Sequence, residues 1–199
     1  RRKRKRKARS VVQAEALAAD PILAERLGRY QNELGLSEKD ATTLTSDRAL
    51  SDFFETAVQG SEHIQSIANW TCNAVQALVK EAGLDELQFR PKQLAQLVHR
   101  VEDGTISSKG AKKVFAQMVQ SGKDPDKLID EMDIAQISDG NVIQGFIDQV
   151  MRAHPDQATQ FQSGNQKLFG FFVGKVIQQS KGKASPEVVN RLLRSFSQN

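Results

Sequence analysis

Apolar residues recur every three or four positions along most of the chain, and stretches of strict alternation are absent. That period belongs to amphipathic helices, not to half-buried strands. Leu23, Leu27, Tyr30 and Leu34 form the first stripe, opened by Asp20 and Pro21 as N-cap and first helical residue and closed by Gly35. Ser37 with Asp40 has the form of an acidic capping box for a short helix. Thr45 or Ser46 is the expected cap of the next helix, whose Leu50, Phe53, Phe54, Ala57 and Val58 share a face before Gly60. Ser61 then opens a long helix carrying Ile64, Ile67, Ala68, Cys72, Val75, Leu78 and Val79 as far as Gly83.

The segment "LDELQFRP" reads as a connector, which puts a domain boundary between residues 84 and 91. From Pro91 the same pattern resumes: Leu94, Leu97, Val98 and Val101 before Gly104, then Ser107 as cap for a helix with Ala111, Val114, Phe115 and Met118 inward. Asp124 and Pro125 start a short helix, Ser138 caps a longer one through Val142, Phe146 and Val150, and His154 with Pro155 stops it. A glycine-bearing helix follows Gly164, and a last one follows Ser185 and Pro186. The expected fold class is all-α: a basic arm over 1–19, a helical domain over 20–84, and a second helical-bundle unit over 91–199.

Charge divides the chain differently. The net +4 is the balance of eight basic residues in "RRKRKRKAR", a net −7 over residues 10–90, −2 over 91–165 and +5 over 166–199. Positive potential therefore sits at the two ends of an acidic body. Eight like charges in nine residues contribute nothing to a core, so the first segment reads as a solvated linker or a polyanion-binding arm. No stretch approaches the roughly 20 apolar residues of a membrane span. The single cysteine, Cys72, suits a reducing compartment, and a cytoplasmic piece of a longer polypeptide is expected.

Catalytic chemistry finds no motif. His63, His99 and His154 are far apart in sequence, none in metal-ligand spacing with Cys72, and each reads as a helix-surface or helix-end residue. Neither a phosphate-binding GxxxxGK[ST] loop nor a GxGxxG turn after a strand is present. The expectation is a binding module with no catalytic residue, no metal and no cofactor of its own.

The sharpest feature is "LFGFFVGKVIQQSKGKASP", residues 168–186. At about 100° per residue, Phe169, Phe172, Val173 and Val176 share a core face, while Lys167, Gly170, Gly174, Gln178 and Lys181 form the opposite stripe. Two interior glycines cost about 1 kcal/mol each relative to alanine, which is understandable if something approaches this backbone closely. One candidate is another helix of the same protein. The other is a nucleic-acid backbone held by Lys167, Lys175, Lys181 and Lys183, with Gly182 freeing the loop and Phe171 at the edge of the face. Lys109, Lys112 and Lys113, opposite the apolar face of their own helix, supply a second basic surface.

These segments carry a resemblance. "EDGTISSKGAKKVFAQM", "GKDPDKLIDEMDIAQIS" and "LFGFFVGKVIQQSKGKASPEVVNRLL" resemble the tail domain of the B subunit of the tRNA-dependent aspartyl/glutamyl amidotransferase and the related YqeY-like proteins, and "LGRYQNELGLSEKDATTLTSDRALSDFFETAV" with "ANW" resembles the helical domain before it. The resemblance runs from about residue 21 to the end. It implies a non-catalytic tRNA-binding role, gripping the tRNA body around the D-loop, at the matching positions Gly170, Gly174, Lys181, Gly182 and Lys183, with Ser108 and Lys109. Lys175 stands where many members have an uncharged residue. The family's B subunit reaches its helical domain through an acidic, proline-containing approach, whereas this chain has "RRKRKRKARSVVQAEALAADP". That departure points to the same tail appended to a bacterial glutaminyl-tRNA synthetase, where ATP and magnesium would serve the parent enzyme and glutamine tRNA would be the partner. The amidotransferase subunit itself is the alternative, and a protein–protein interaction module is the reading from another class.

Overall fold

The computed structural model describes residues 14, 15 and 17 to 196, so the basic run and most of the expected arm lie outside the described residues. Among those residues there are α-helices and no strands, as the periodicity requires: α1 Pro21–Asn32, α2 Glu38–Leu44, α3 Arg48–Val58, α4 Ile64–Trp70, α5 Gln76–Ala82, α6 Pro91–Glu102, α7 Ser108–Ser121, α8 Pro125–Glu131, α9 Gly140–Ala153, α10 Pro155–Gln162, α11 Phe169–Gln179 and α12 Pro186–Phe196. The chain forms two compact units. The first runs to His99 and takes in Val114–Leu128; the second comprises Arg100–Lys113 and the described residues from Ile129 onward. This division differs from the expected break at 84–91. Phe89 of the supposed connector is buried, with its ring 6.1 Å from that of Phe53 and 5.4 Å from that of Phe115, which anchors the segment in the first unit.

In the first unit, Tyr30, Leu36, Ala41, Leu44, Phe54, Ala57, Ile67, Ala68 and Val98 make the core. Asp20 accepts the Ile22 N–H, and Ser37 caps its helix by accepting the Asp40 N–H while its hydroxyl donates to the Asp40 carboxylate, a side-chain bond in place of the backbone half of a capping box. The expected cap at Thr45 or Ser46 is corrected to Asp47, whose carboxylate accepts the Leu50 N–H at 3.0 Å. Thr45 and Ser46 spend their hydroxyls on the carbonyls of Ala41 and Thr43, closing α2. Ser61 does not begin the next helix either; it accepts the His63 N–H, and α4 starts at Ile64. Between α4 and α5 the helix widens into a π turn over Thr71–Val75. There the Thr71 hydroxyl donates to Ile67 O and the Asn73 amide to Asn69 O, the side-chain competition with the backbone ladder that loosens a helix.

A polar clamp joins α1 to α3. Arg26 donates to Ser51 at 2.9 Å and to Asp52 at 2.6 Å, the Tyr30 hydroxyl meets Ser51 at 3.0 Å, and Arg29 pairs with Glu55. Burial pushes the Tyr30 hydroxyl pKa well up, so it stays a neutral hydrogen-bonding group.

In the second unit, α9 packs on α11 and α12, and α11 packs on α12. Ile143, Ile147, Val150, Phe161, Phe172, Val176, Val189 and Leu193 fill the space between them, with the Phe161 and Phe172 rings 5.1 Å apart. The expected Ser138 cap of α9 is corrected to Asp139, which accepts the N–H groups of both Asn141 and Val142. A carboxylate can serve two orphan donors at a helix start and is favoured by the positive end of the helix dipole.

Gly122, which ends α7, is held at φ +65°, and a Cβ built there would lie 2.6 Å from Gln88 O. Gly122→Ala is therefore expected to cost more than about 2 kcal/mol, from left-handed strain together with a backbone clash. The urea unfolding midpoint measures this; an unchanged midpoint contradicts the packing of residues 88–89 against α7.

Candidate nucleic-acid interface

Helix α11 presents the faces that the wheel predicts. Phe172 and Val176 are fully buried and Phe169 and Val173 partly so. Gly170 and Gly174 are exposed, and a Cβ at either would have no described atom within 4 Å. Close packing against another helix of this chain, one of the two explanations for these glycines, is therefore not found among the described residues. The backbone of α11 is bare along this stripe.

The helix ends in a left-handed turn. Lys181 has φ +54° and Gly182 φ +79°, and the Gly182 N–H donates to Ile177 O at 2.8 Å. This turn throws Lys181 and Lys183 toward the start of α7. There, inside the second unit, a concavity of about 410 Å³ is lined by Ser107, Lys109, Lys113, Asp133, Gln136, Lys181, Gly182 and Lys183 together with Gly110, Ile134 and Ala135. The two basic surfaces that the sequence places some 70 residues apart thus meet around one opening.

Backbone bonds between loops hold the meeting in place. Ile137 donates to Lys183 O at 2.7 Å and accepts from the Ser185 N–H at 2.8 Å, a single parallel bridge. Gln136 donates to Thr105 O at 2.6 Å, tying the same segment to the loop before α7. Ala184, beside the bridge, is buried, and its N–H is capped by the Ser180 hydroxyl. Lys183 Nζ lies 2.7 Å from Asp133 Oδ1. Residues 133–137 lie in a segment that carries the family resemblance, but nothing in their pattern shows this pairing, because an isolated bridge leaves no periodicity to detect.

Other predicted positions are not gathered here. Lys112, Lys167, Lys175, Gly170, Gly174 and Ser108 do not line the concavity. Lys175 Nζ lies over the Phe171 ring, 5.7 Å from its centroid, and Phe171 meets His154 edge-on at 5.1 Å. Phe171 is half-buried against the core of the second unit.

Two histidines far apart in sequence prove to be neighbours. His63 Nε2 and His99 Nδ1 are 3.2 Å apart with ring centroids 5.5 Å apart, the spacing of rings that face each other nitrogen to nitrogen in a hydrogen bond. Among the described residues no three His, Cys, Asp or Glu side chains group as a metal site. Burial pushes the Cys72 thiol up to about 12, so it carries no thiolate chemistry near neutral pH. Among the described residues no helix is long and apolar enough to cross a membrane.

Because nothing meets a Cβ at Gly170 or Gly174, replacing either with alanine is expected to stabilise the protein by up to about 1 kcal/mol, the helix-propensity difference. Thermal unfolding measures it; a lowered melting temperature would mean that the stripe is packed after all.

The sequence pattern of the GatB domain family matches residues 52–196. Among curated proteins, the chain is 42% identical over 170 residues to the B subunit of the aspartyl/glutamyl-tRNA(Asn/Gln) amidotransferase of Oceanobacillus iheyensis, covering 84% of this chain and 36% of that protein. It is 43% identical over 170 residues to the same protein of Geobacter sulfurreducens, with the same coverage, and 37% identical over 188 residues to that of Parasynechococcus marenigrum, covering 92% of this chain and 38% of that protein. The chain thus spans just over a third of the length of these relatives. They support the amidotransferase alternative; the attachment to a glutaminyl-tRNA synthetase, inferred from the basic run, draws no support from them. With most of its length matching the family pattern, the chain belongs to the GatB domain family.

Proposed function

We propose that this chain is the non-catalytic, tRNA-binding C-terminal part of the B subunit of an aspartyl/glutamyl-tRNA amidotransferase. It acts in the cytoplasm, holding the body of a misacylated tRNA while amidation proceeds in other domains and subunits. The observation that carries this reading is the convergence of Lys109, Lys113, Lys181 and Lys183 on one concavity. Lysine ammonium groups are point charges suited to phosphate oxygens. Four around one opening attract a sugar–phosphate backbone whatever its sequence, so recognition here is by shape and charge. The bare α11 backbone at Gly170 and Gly174 lets a ribose–phosphate strand lie close where a larger side chain would hold it off. In this reading the fragment needs no nucleotide or metal of its own.

The triple variant Lys109→Gln, Lys113→Gln, Lys181→Gln is expected to bind tRNA at least about tenfold more weakly, with a slope of log affinity against log salt shallower by roughly 0.7 to 0.9 for each lysine–phosphate pair removed. Fluorescence anisotropy across a salt series, on a protein lacking residues 1–9, reads both quantities. Unchanged affinity and slope would rule out the concavity as the RNA site and favour a protein-docking role for the module.

A further inference from the structure

We infer that Asp133 is a built-in competitor for the phosphate that the lysine concavity binds, so that RNA engages Lys183 by displacing a carboxylate already there. This rests on the proposed tRNA reading and adds to it a residue that sets affinity and release. Among the described residues lining the opening, four are lysines and one is an acid, Asp133. Its Oδ1 lies 2.7 Å from Lys183 Nζ, within the distance at which a phosphate oxygen would sit on the same ammonium group.

The backbone around Asp133 is shaped to present that carboxylate. Asp133 has φ +49°, its N–H donates to Asp130 O, and the following Ile134 N–H donates to Ile129 O, so it occupies the left-handed position that closes α8. Glycine is the usual occupant of such a position and an L-residue is strained there, although Asp and Asn tolerate it best. On the opposite rim the left-handed turn is shared by Lys181 at φ +54° and Gly182 at φ +79°, so both non-glycine residues in this conformation among the described residues carry a charge to the opening. The aspartate thus bears a backbone cost that glycine would avoid, and what it contributes is a negative charge facing Lys183.

The pair does little for the fold. The Asp133 side chain is 80% exposed and that of Lys183 42% exposed, and exposed ion pairs add little to stability. Position, not strength, is therefore its consequence. An anion entering the concavity meets three lysines not paired with Asp133 and one that is. The carboxylate weakens capture and, by returning to Lys183, promotes release, which suits a module that must let go of each tRNA after its turn.

The test is Asp133→Asn, which keeps a residue tolerant of the left-handed turn and removes the charge. Binding to tRNA is measured by anisotropy over a salt series for the wild type, Asp133→Asn, Lys183→Gln and the double variant. Asp133→Asn is expected to bind about three- to fivefold more tightly at low salt, with the gain shrinking as salt rises because the competition between carboxylate and phosphate is screened. The gain is expected to vanish in the Lys183→Gln background, and the melting temperature to stay close to that of the wild type. Equal affinity of Asp133→Asn and wild type overturns the inference alone. A gain that persists without Lys183 shows a general charge effect and overturns displacement. No binding by any of the four overturns the tRNA reading and this inference with it.

Discussion

The site depends on a single backbone bridge. Ile137 both donates to Lys183 O and accepts from Ser185 N–H, and through this pair the loop after α11 is fixed against the segment after α8. Without it, Lys181 and Lys183 would hang from a solvent-facing turn, and Lys109 and Lys113 would be an ordinary charged helix surface. With it, and with the Gln136 to Thr105 bond on the other side, three loops share a rim. The bridge is in turn possible because α11 buries Phe172 and Val176 in the core of the second unit, which sets where the helix ends. Hydrophobic burial places the helix, the left-handed Lys181–Gly182 turn redirects the chain, and backbone hydrogen bonds set the charges.

Much of this was legible in the residues. Helical periodicity, the caps at Asp20 and Ser37, and the two faces of α11 all follow from side-chain spacing and local hydrogen bonding, which are properties of short segments. The two lysine clusters were visible as surfaces. Their meeting was not, because it is made by segment 133–137, which has neither a helical stripe nor strand alternation. The same limit explains the His63–His99 pair, 36 residues apart, and the anchoring of Phe89 in the first unit. The cap errors at Asp47 and Asp139 have a more local cause: adjacent hydroxyl and carboxylate residues compete for one role, and the loser takes another partner, as Thr45 and Ser46 do at the end of α2.

The charge segregation gains a structural meaning. Three acidic residues of the first unit, Asp20, Asp52 and Glu55, are paired in the α1–α3 clamp with Arg26, Arg29 and Arg48, and the described residues of the unit keep an excess of acid. In the second unit, by contrast, four lysines surround an opening that holds a single acid. A polyanion would be steered to the second unit by charge and positioned by shape, while the first is held together by its own pairs. The basic run suggested a synthetase parent, yet the relatives are B subunits of the amidotransferase; a charge run records affinity for polyanions in general and is a poor guide to which enzyme it serves.

Lysine acetylation footprinting by mass spectrometry, with and without tRNA, tests the central claim most directly because it reads each ammonium group separately. Protection concentrated at Lys109, Lys113, Lys181 and Lys183, with Lys39, Lys80 and Lys92 of the first unit still reactive, is the expected result. Protection confined to the first nine residues, or spread evenly over all lysines, would contradict it.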